Sequence, residues 1–152
     1  MSNMTDFDVE SSFYQWFGDN YSWSDVDWAQ PYKFDESQFL KWVHVRIDTI
    51  DESPVRRTGN RMFEVVAQVT VWSTDQAEQY GALAIASEVK ELLRHATVPI
   101  YDQSISDTPR IGTIQFYEPS VQDVTTQEGD VPAQARVVTI RGKAEQQLQN
   151  CE

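Results

Sequence analysis

His44 and His95 are the only imidazoles in the sequence and the first groups to weigh for chemistry near neutral pH. Neither has a companion at the spacing that a metal site, or a nucleophile with its base and orienter, would need, so both read as surface histidines. Asp48, Asp51 and Glu52 cluster in the manner of a calcium loop, but the alternating ligand series and central glycine of such loops are missing. They read as solvated loop charge. Cys151, the single cysteine, rules out an internal disulfide framework and a multi-cysteine zinc site. No Gly-x-Gly-x-x-Gly, P-loop, His-Glu-x-x-His or Gly-x-Ser-x-Gly pattern is present. The chain does not read as an enzyme, and neither cofactor nor metal is expected.

The unusual chemistry is aromatic. The stretch "FGDNYSWSDVDWAQPYKF", residues 17 to 34, carries Tyr21, Trp23, Trp28, Tyr32 and Phe34 among acids and turn residues. Grooves for single-stranded nucleic acid combine stacking with positive charge, and here the rings lack basic partners. Two readings stay open: the rings pin the segment over a sheet edge, or they face another protein, since interface centres favour Trp and Tyr.

The elements that must position this segment emerge from periodicity. Thr5 is an N-cap candidate, with Asp6, Asp8 and Glu10 in the first turn and Val9, Phe13, Trp16 and Phe17 at helical spacing, so a short amphipathic helix is predicted to end at Gly18. "FLKWVHVRI" alternates with Val43, Val45 and Ile47 on one face and Trp42, His44 and Arg46 on the other, predicting a half-buried strand. "DTIDESPVRRTGNR" reads as a long hairpin connection. "RMFEVVAQVTVW" is the clearest strand, with Phe63, Val65, Ala67, Val69 and Val71 on one parity. A helix capped within Ser73, Thr74 and Asp75 then presents Ala82, Ile85, Ala86, Val89, Leu92 and Leu93 as an apolar stripe, with Gly81 in its interior. Beyond Val98-Pro99-Ile100 and a polar loop, "IGTIQFYE" and "ARVVTIRGKA" are predicted as two further strands. The expected fold class is α+β: a two-layer domain in the order helix, strand, strand, helix, strand, strand, its mixed or antiparallel four-stranded sheet covered by the long second helix. Residues 1 to 144 form one domain and 145 to 152 a polar tail.

Composition bounds the partners. A hydrophobic fraction of 40% with 12% aromatic residues fits a folded domain rather than a disordered chain. The net charge of -12 argues against binding a nucleic-acid backbone by neutralising phosphates. Residues 1 to 40 hold eight acids against one base, Lys33, so the acidity is concentrated at the N-terminal end. No basic start followed by an apolar run is seen, and no stretch approaches the ~20 apolar residues that span a bilayer; neither signal peptide nor membrane anchor is expected.

The pattern as a whole resembles the tail terminator proteins of tailed bacteriophages, also called minor tail or tail completion proteins. The resemblance runs through an N-terminal helix, a segment with Trp23, Val26, Trp28, Pro31 and Phe34, then "KWVHVRI", "VVAQVTVW", "AEQYGALAIASEVKELL" and "VTIRGKA", covering residues 6 to 144. It implies a non-catalytic virion protein, assembled in the host cytoplasm, that forms a ring, commonly a hexamer, at the head-proximal end of the tail tube. Such a ring stops tube polymerisation, joins the tail to the head-completion proteins of the neck, and lets DNA pass without specific binding. The aromatic and acidic richness of residues 13 to 34 departs from the family's pattern. A head-completion or connector protein of the same neck and an acidic DNA-mimic inhibitor are the alternatives.

A closed ring needs one patch to meet a different patch on the next copy. The basic loop "PVRRTGNR", with Arg56, Arg57 and Arg61, against the acidic N-terminal region is the candidate pair. Trp23, Trp28, Tyr32 and Phe34 are the candidate aromatic contacts.

Overall fold

Thr5 begins the first helix as an N-cap should. Its hydroxyl accepts the Asp8 N–H at 3.2 Å while the Asp8 carboxylate accepts the Thr5 N–H at 2.9 Å, a reciprocal capping box. Helix α1 (Asp6–Asn20) runs past Gly18 and ends where the Tyr21 N–H bonds the Phe17 carbonyl, burying Val9, Phe13 and Phe17. The computed structural model of the chain describes residues 4–28, 41–52, 61–74, 80–105, 108–123 and 134–147.

Among the described residues seven strands follow the helix: β1 (Asp25–Trp28), β2 (Lys41–Glu52), β3 (Met62–Ser73), β4 (Thr97–Tyr101), β5 (Arg110–Phe116), β6 (Ser120–Asp123) and β7 (Gln134–Gln146), with α2 (Gly81–Leu93) between β3 and β4. They form one mixed sheet in the order β1-β2-β3-β7-β5-β4, with β6 also on β7. Among the described residues only β1 and β2 run parallel. Strand β7 is the spine: one edge pairs with β3 along its length, and the other takes β5 near Gly142 and β6 near Val138. β5 and β6 are in effect one long partner strand interrupted at Pro119, which has no N–H to donate.

The expected four-stranded, helix-strand-strand-helix-strand-strand fold is therefore wrong. β2, β3, β5 and β7 are the four strands expected, but β1, β4 and β6 extend them to a seven-stranded sheet, and the two helices are a minor part of the fold. β1 lies inside the aromatic segment, β4 covers Val98-Pro99-Ile100, where no strand was expected, and β6 lies between the last two expected strands. The second helix also starts later than expected. Ser73 is the buried last residue of β3, not a helix cap, and Gly81 is the first residue of α2, not an interior one. Asp75, the last of the three expected cap candidates, lies outside the described residues. At its other end α2 stops without a glycine, because His95 adopts a left-handed backbone with φ of 52° just beyond the Arg94 cap. β7 continues through Gln146, past the expected domain boundary at Ala144.

Strand faces fall as their alternation predicts. Phe63, Val65, Ala67, Val69 and Val71 of β3 point into the core with Val43 and Val45 of β2, Ile114 and Phe116 of β5, and Val138 and Ile140 of β7. Both helices cover this one face, since Val9, Phe13 and Phe17 of α1 and Ala82, Ala86, Val89 and Leu93 of α2 belong to the same core. Phe13 meets Phe116 edge-on at 5.6 Å between ring centroids.

α1 also holds the curl of the sheet. The Ser12 hydroxyl accepts the Tyr101 N–H of β4 at 3.0 Å, the Asp8 carboxylate accepts the Gln103 N–H at 3.0 Å, and the Tyr14 hydroxyl accepts the Ile47 N–H of β2 at 3.3 Å. β2 and β4 are separated by β3, β7 and β5 in sheet order, so one helix can touch both only if the sheet is rolled into a half-barrel. Side chains of α1 thus accept from N–H groups of β2 and of the edge strand β4 and its continuation, partly buried donors that would otherwise go unpaired. The Ile47 contact sits at a bulge, where the β2–β3 register shifts between Ile47 and Thr49.

Candidate functional site

The residues weighed first for chemistry stay apart. His44 lies on β2 opposite Thr70, whereas His95 sits at the end of α2 with its Nε2 3.0 Å from Glu118. Asp48 pairs with Arg46 at 2.8 Å and Glu52 with Arg61 at 3.3 Å. Among the described residues no group of three His, Cys, Asp or Glu side chains is placed to hold a metal ion.

The aromatic segment is organised around a ladder of rings leading from the core to the surface. Phe13 is fully buried and contacts Phe17; Phe17 stacks on Tyr21 with centroids 4.9 Å apart; Tyr21 meets Trp23 edge-on at 5.1 Å. Trp23, at the outer end, is 44% exposed. The Tyr21 hydroxyl is hydrogen-bonded to the Ser24 hydroxyl. Burial pushes the Tyr21 phenol up to about 12; the Ser24 bond opposes this and the nearby Asp25 charge adds to it. Immediately afterwards β1 lies parallel to β2, with Val26 opposite Val43 and Trp28 opposite Val45. The segment is pinned at Phe17, Tyr21 and Val26, and it offers Trp23 to the outside.

Of the other residues proposed for contacts, Arg61 is described and is held at home. Its guanidinium donates to the Met4 carbonyl at 3.1 Å and pairs with Glu52, and its N–H donates to the Gln146 side-chain oxygen at 3.3 Å. Tyr32, Phe34, Arg56 and Arg57 lie outside the described residues, and Trp28 is placed by its backbone pairing alone.

Two surfaces stand out, the first not singled out from the sequence and the second part of the acidic N-terminal region named there. One is the outer face of the sheet, opposite the helices. There Arg141 and Lys143 of β7 are exposed, alternating with buried Ile140, Gly142 and Ala144. Beside them Tyr117 is 44% exposed, its N–H bonded to the Arg141 carbonyl at 3.0 Å. An open groove of about 360 Å³ runs along this face between Thr113, Gln115, Tyr117, Lys143, Glu145 and Gln147. The off-parity charges of "IRGKAE" were the available signal. The other surface is the solvent side of α1, with Asp6, Phe7, Glu10 and Asp19 and no basic residue. Phe7 is 66% exposed. Neither surface converges polar groups on a reacting atom; both are suited to contact with a macromolecule.

No family model and no curated protein matches the chain. Among solved structures, one whose name states no activity is similar in fold, with a TM-score of 0.58 at 16% sequence identity, covering 98% of this chain and 100% of that one. At that identity the likeness concerns the fold alone. No helix among the described residues is long and apolar enough to cross a membrane.

Proposed function

We propose that the chain is a structural virion protein that forms a ring at the head-proximal end of a phage tail tube. It ends tube polymerisation there and joins the tail to the neck. The observation that carries this reading is the pairing of β1 with β2. The tryptophan-rich segment and "KWVHVRI", two of the blocks on which the family resemblance rests, lie side by side in parallel register from Asp25 opposite Trp42 to Trp28 opposite Val45. The blocks therefore belong to one folded unit, and that unit carries an exposed ring, Trp23, at its rim.

Charge supports the same reading. A subunit with net charge -12 lining a channel repels phosphates, and over roughly 10 Å at moderate salt that repulsion keeps passing DNA from adhering. The partners are further copies of the chain, the tube protein and a head-completion protein.

The test is tube assembly. Added to polymerising tube protein of the same virus, the protein should shorten the tubes and appear as a ring at one end of each. Undiminished elongation with no bound protein contradicts the proposal. Binding to the head-completion protein but not to the tube would place the chain one layer away, as a connector.

A further inference from the structure

We infer that the outer sheet face around Tyr117, Arg141 and Lys143 receives the acidic first turns of α1, Asp6 to Glu10, from a second copy of the chain. The closure of such contacts into a ring rests on the function proposed above; the contact itself rests on the charge and exposure of two patches of the single subunit.

Arg141 and Lys143 differ from four other cations of the fold. Arg46, Arg61, Arg94 and Arg136 are each paired with a carboxylate, those of Asp48, Glu52, Glu118 and Asp123 respectively. Arg141 and Lys143 have no ion-pair partner among the described residues, although Glu64 lies opposite Lys143 on β3 and Glu145 follows on β7. Both cations are exposed, and the neighbouring Tyr117 ring is the largest apolar group on that part of the face. Tyrosine and arginine are residues that interface centres favour, and with the Lys143 charge beside them over an open groove they suit an acidic, aromatic partner.

The N-terminal turns of α1 have the complementary composition. Phe7 projects into solvent beside Asp6 and Glu10, which share one helix face at i and i+4; Glu10 is half-buried and also accepts the Tyr14 hydroxyl, and no Lys or Arg occurs before Lys33. The two surfaces lie on opposite sides of the subunit, α1 against the inner face of the sheet and Arg141 and Lys143 on the outer. One copy cannot bring its own helix to its own cations. The match can be made only between copies, patch to different patch, which is the heterologous contact that generates rings.

The experiment is a charge swap read by native mass measurement and sedimentation, with circular dichroism to confirm folding. Arg141→Glu with Lys143→Glu, and separately Asp6→Lys with Glu10→Lys, should each weaken self-association by about tenfold or more. An equimolar mixture of the two double variants should regain association, because the acidic patch of one then meets the basic helix of the other. Asp6→Asn with Glu10→Gln, which is gentler on the helix start, should show an intermediate loss. If the wild-type chain associates and both double variants associate equally well, the contact is overturned while the ring stands. If the wild-type chain remains a monomer alone and with tube protein, the ring itself is overturned and this contact with it.

Discussion

The Ser12 hydroxyl of the N-terminal helix accepts the N–H of Tyr101, an edge-strand residue 89 positions later in the chain, at 3.0 Å. In sheet order β4 has β5 as its neighbour on one side, and on the other the hydroxyl stands in for the carbonyl of a further strand. With Asp8 on Gln103 and Tyr14 on Ile47, it makes α1 the clasp of the half-barrel. Ser12→Ala would leave a half-buried residue's donor without its acceptor, and a loss of about 0.5–1.5 kcal/mol is expected in chemical denaturation. Asp8→Ala, which also removes the capping box, should cost at least as much. A loss within error for both would show that the clasp does not hold the fold.

The phenols of Tyr14 and Tyr21 are both raised, from 10.0 to about 12. For Tyr14 burial is the main cause; the Ile47 N–H opposes it, and Glu10, which accepts the Tyr14 hydroxyl, adds to it. A folded pKa above the unfolded one means that the folded state holds its proton more tightly. The associated stability is fully present below pH 10 and is lost as pH rises from about 10 to 12. Compared with a Tyr14→Phe, Tyr21→Phe variant, the wild-type chain should therefore gain its additional phenolate absorbance only towards pH about 12, together with loss of structure. Additional absorbance already complete near pH 10 with the fold intact would contradict this.

Two glycines are required by close approach. A Cβ at Gly142 would lie 2.7 Å from a Phe116 ring carbon and 2.9 Å from the Gln115 carbonyl, and one at Gly112 would lie 2.5 Å from the Glu145 carbonyl and 2.9 Å from the Met4 sulfur. Gly142→Ala is expected to lose about 1–3 kcal/mol of stability. Gly112→Ala should lose more, because its nearest obstacle is backbone within the β5–β7 ladder, which yields less readily than a ring. Denaturant midpoints for the two variants check the order.

The aromatic ladder separates stability from assembly. Phe17→Ala removes a fully buried ring and should cost about 3–5 kcal/mol. Trp23→Ala, at the exposed end, should cost much less while weakening attachment to neighbouring subunits or tube. Equal losses of stability in the two would mean that Trp23 is a core residue.

Legibility in the sequence divides along physical lines. Long strands with one buried face announce themselves by parity, as in Phe63 to Val71, and α1 by a cap and a stripe at helical spacing. The short strands did not. β1 offers only Asp25-Val26-Asp27-Trp28, too few residues for a pattern. β4 contains Pro99, which reads as a helix terminator and is tolerated because β4 is an edge strand. β6 is exposed along most of its length. The clasp was half visible: Asp8 and Ser12, spaced i and i+4, are polar residues beside the apolar stripe of α1, but the partners they hold come from the far side of the fold. Trp42 was assigned to the outward face, and it does lie there, yet it is only 4% exposed and stacks on Trp72 at 6.2 Å; alternation reports the side of a sheet, not what covers it.

Ring formation is tested most directly by native mass measurement of the purified wild-type chain across a range of concentrations, alone and with tube protein. A single closed species at a fixed multiple of the 17.5 kDa subunit, six being the number the family resemblance implies, is the predicted result. A monomer at every concentration, with and without tube protein, would contradict it.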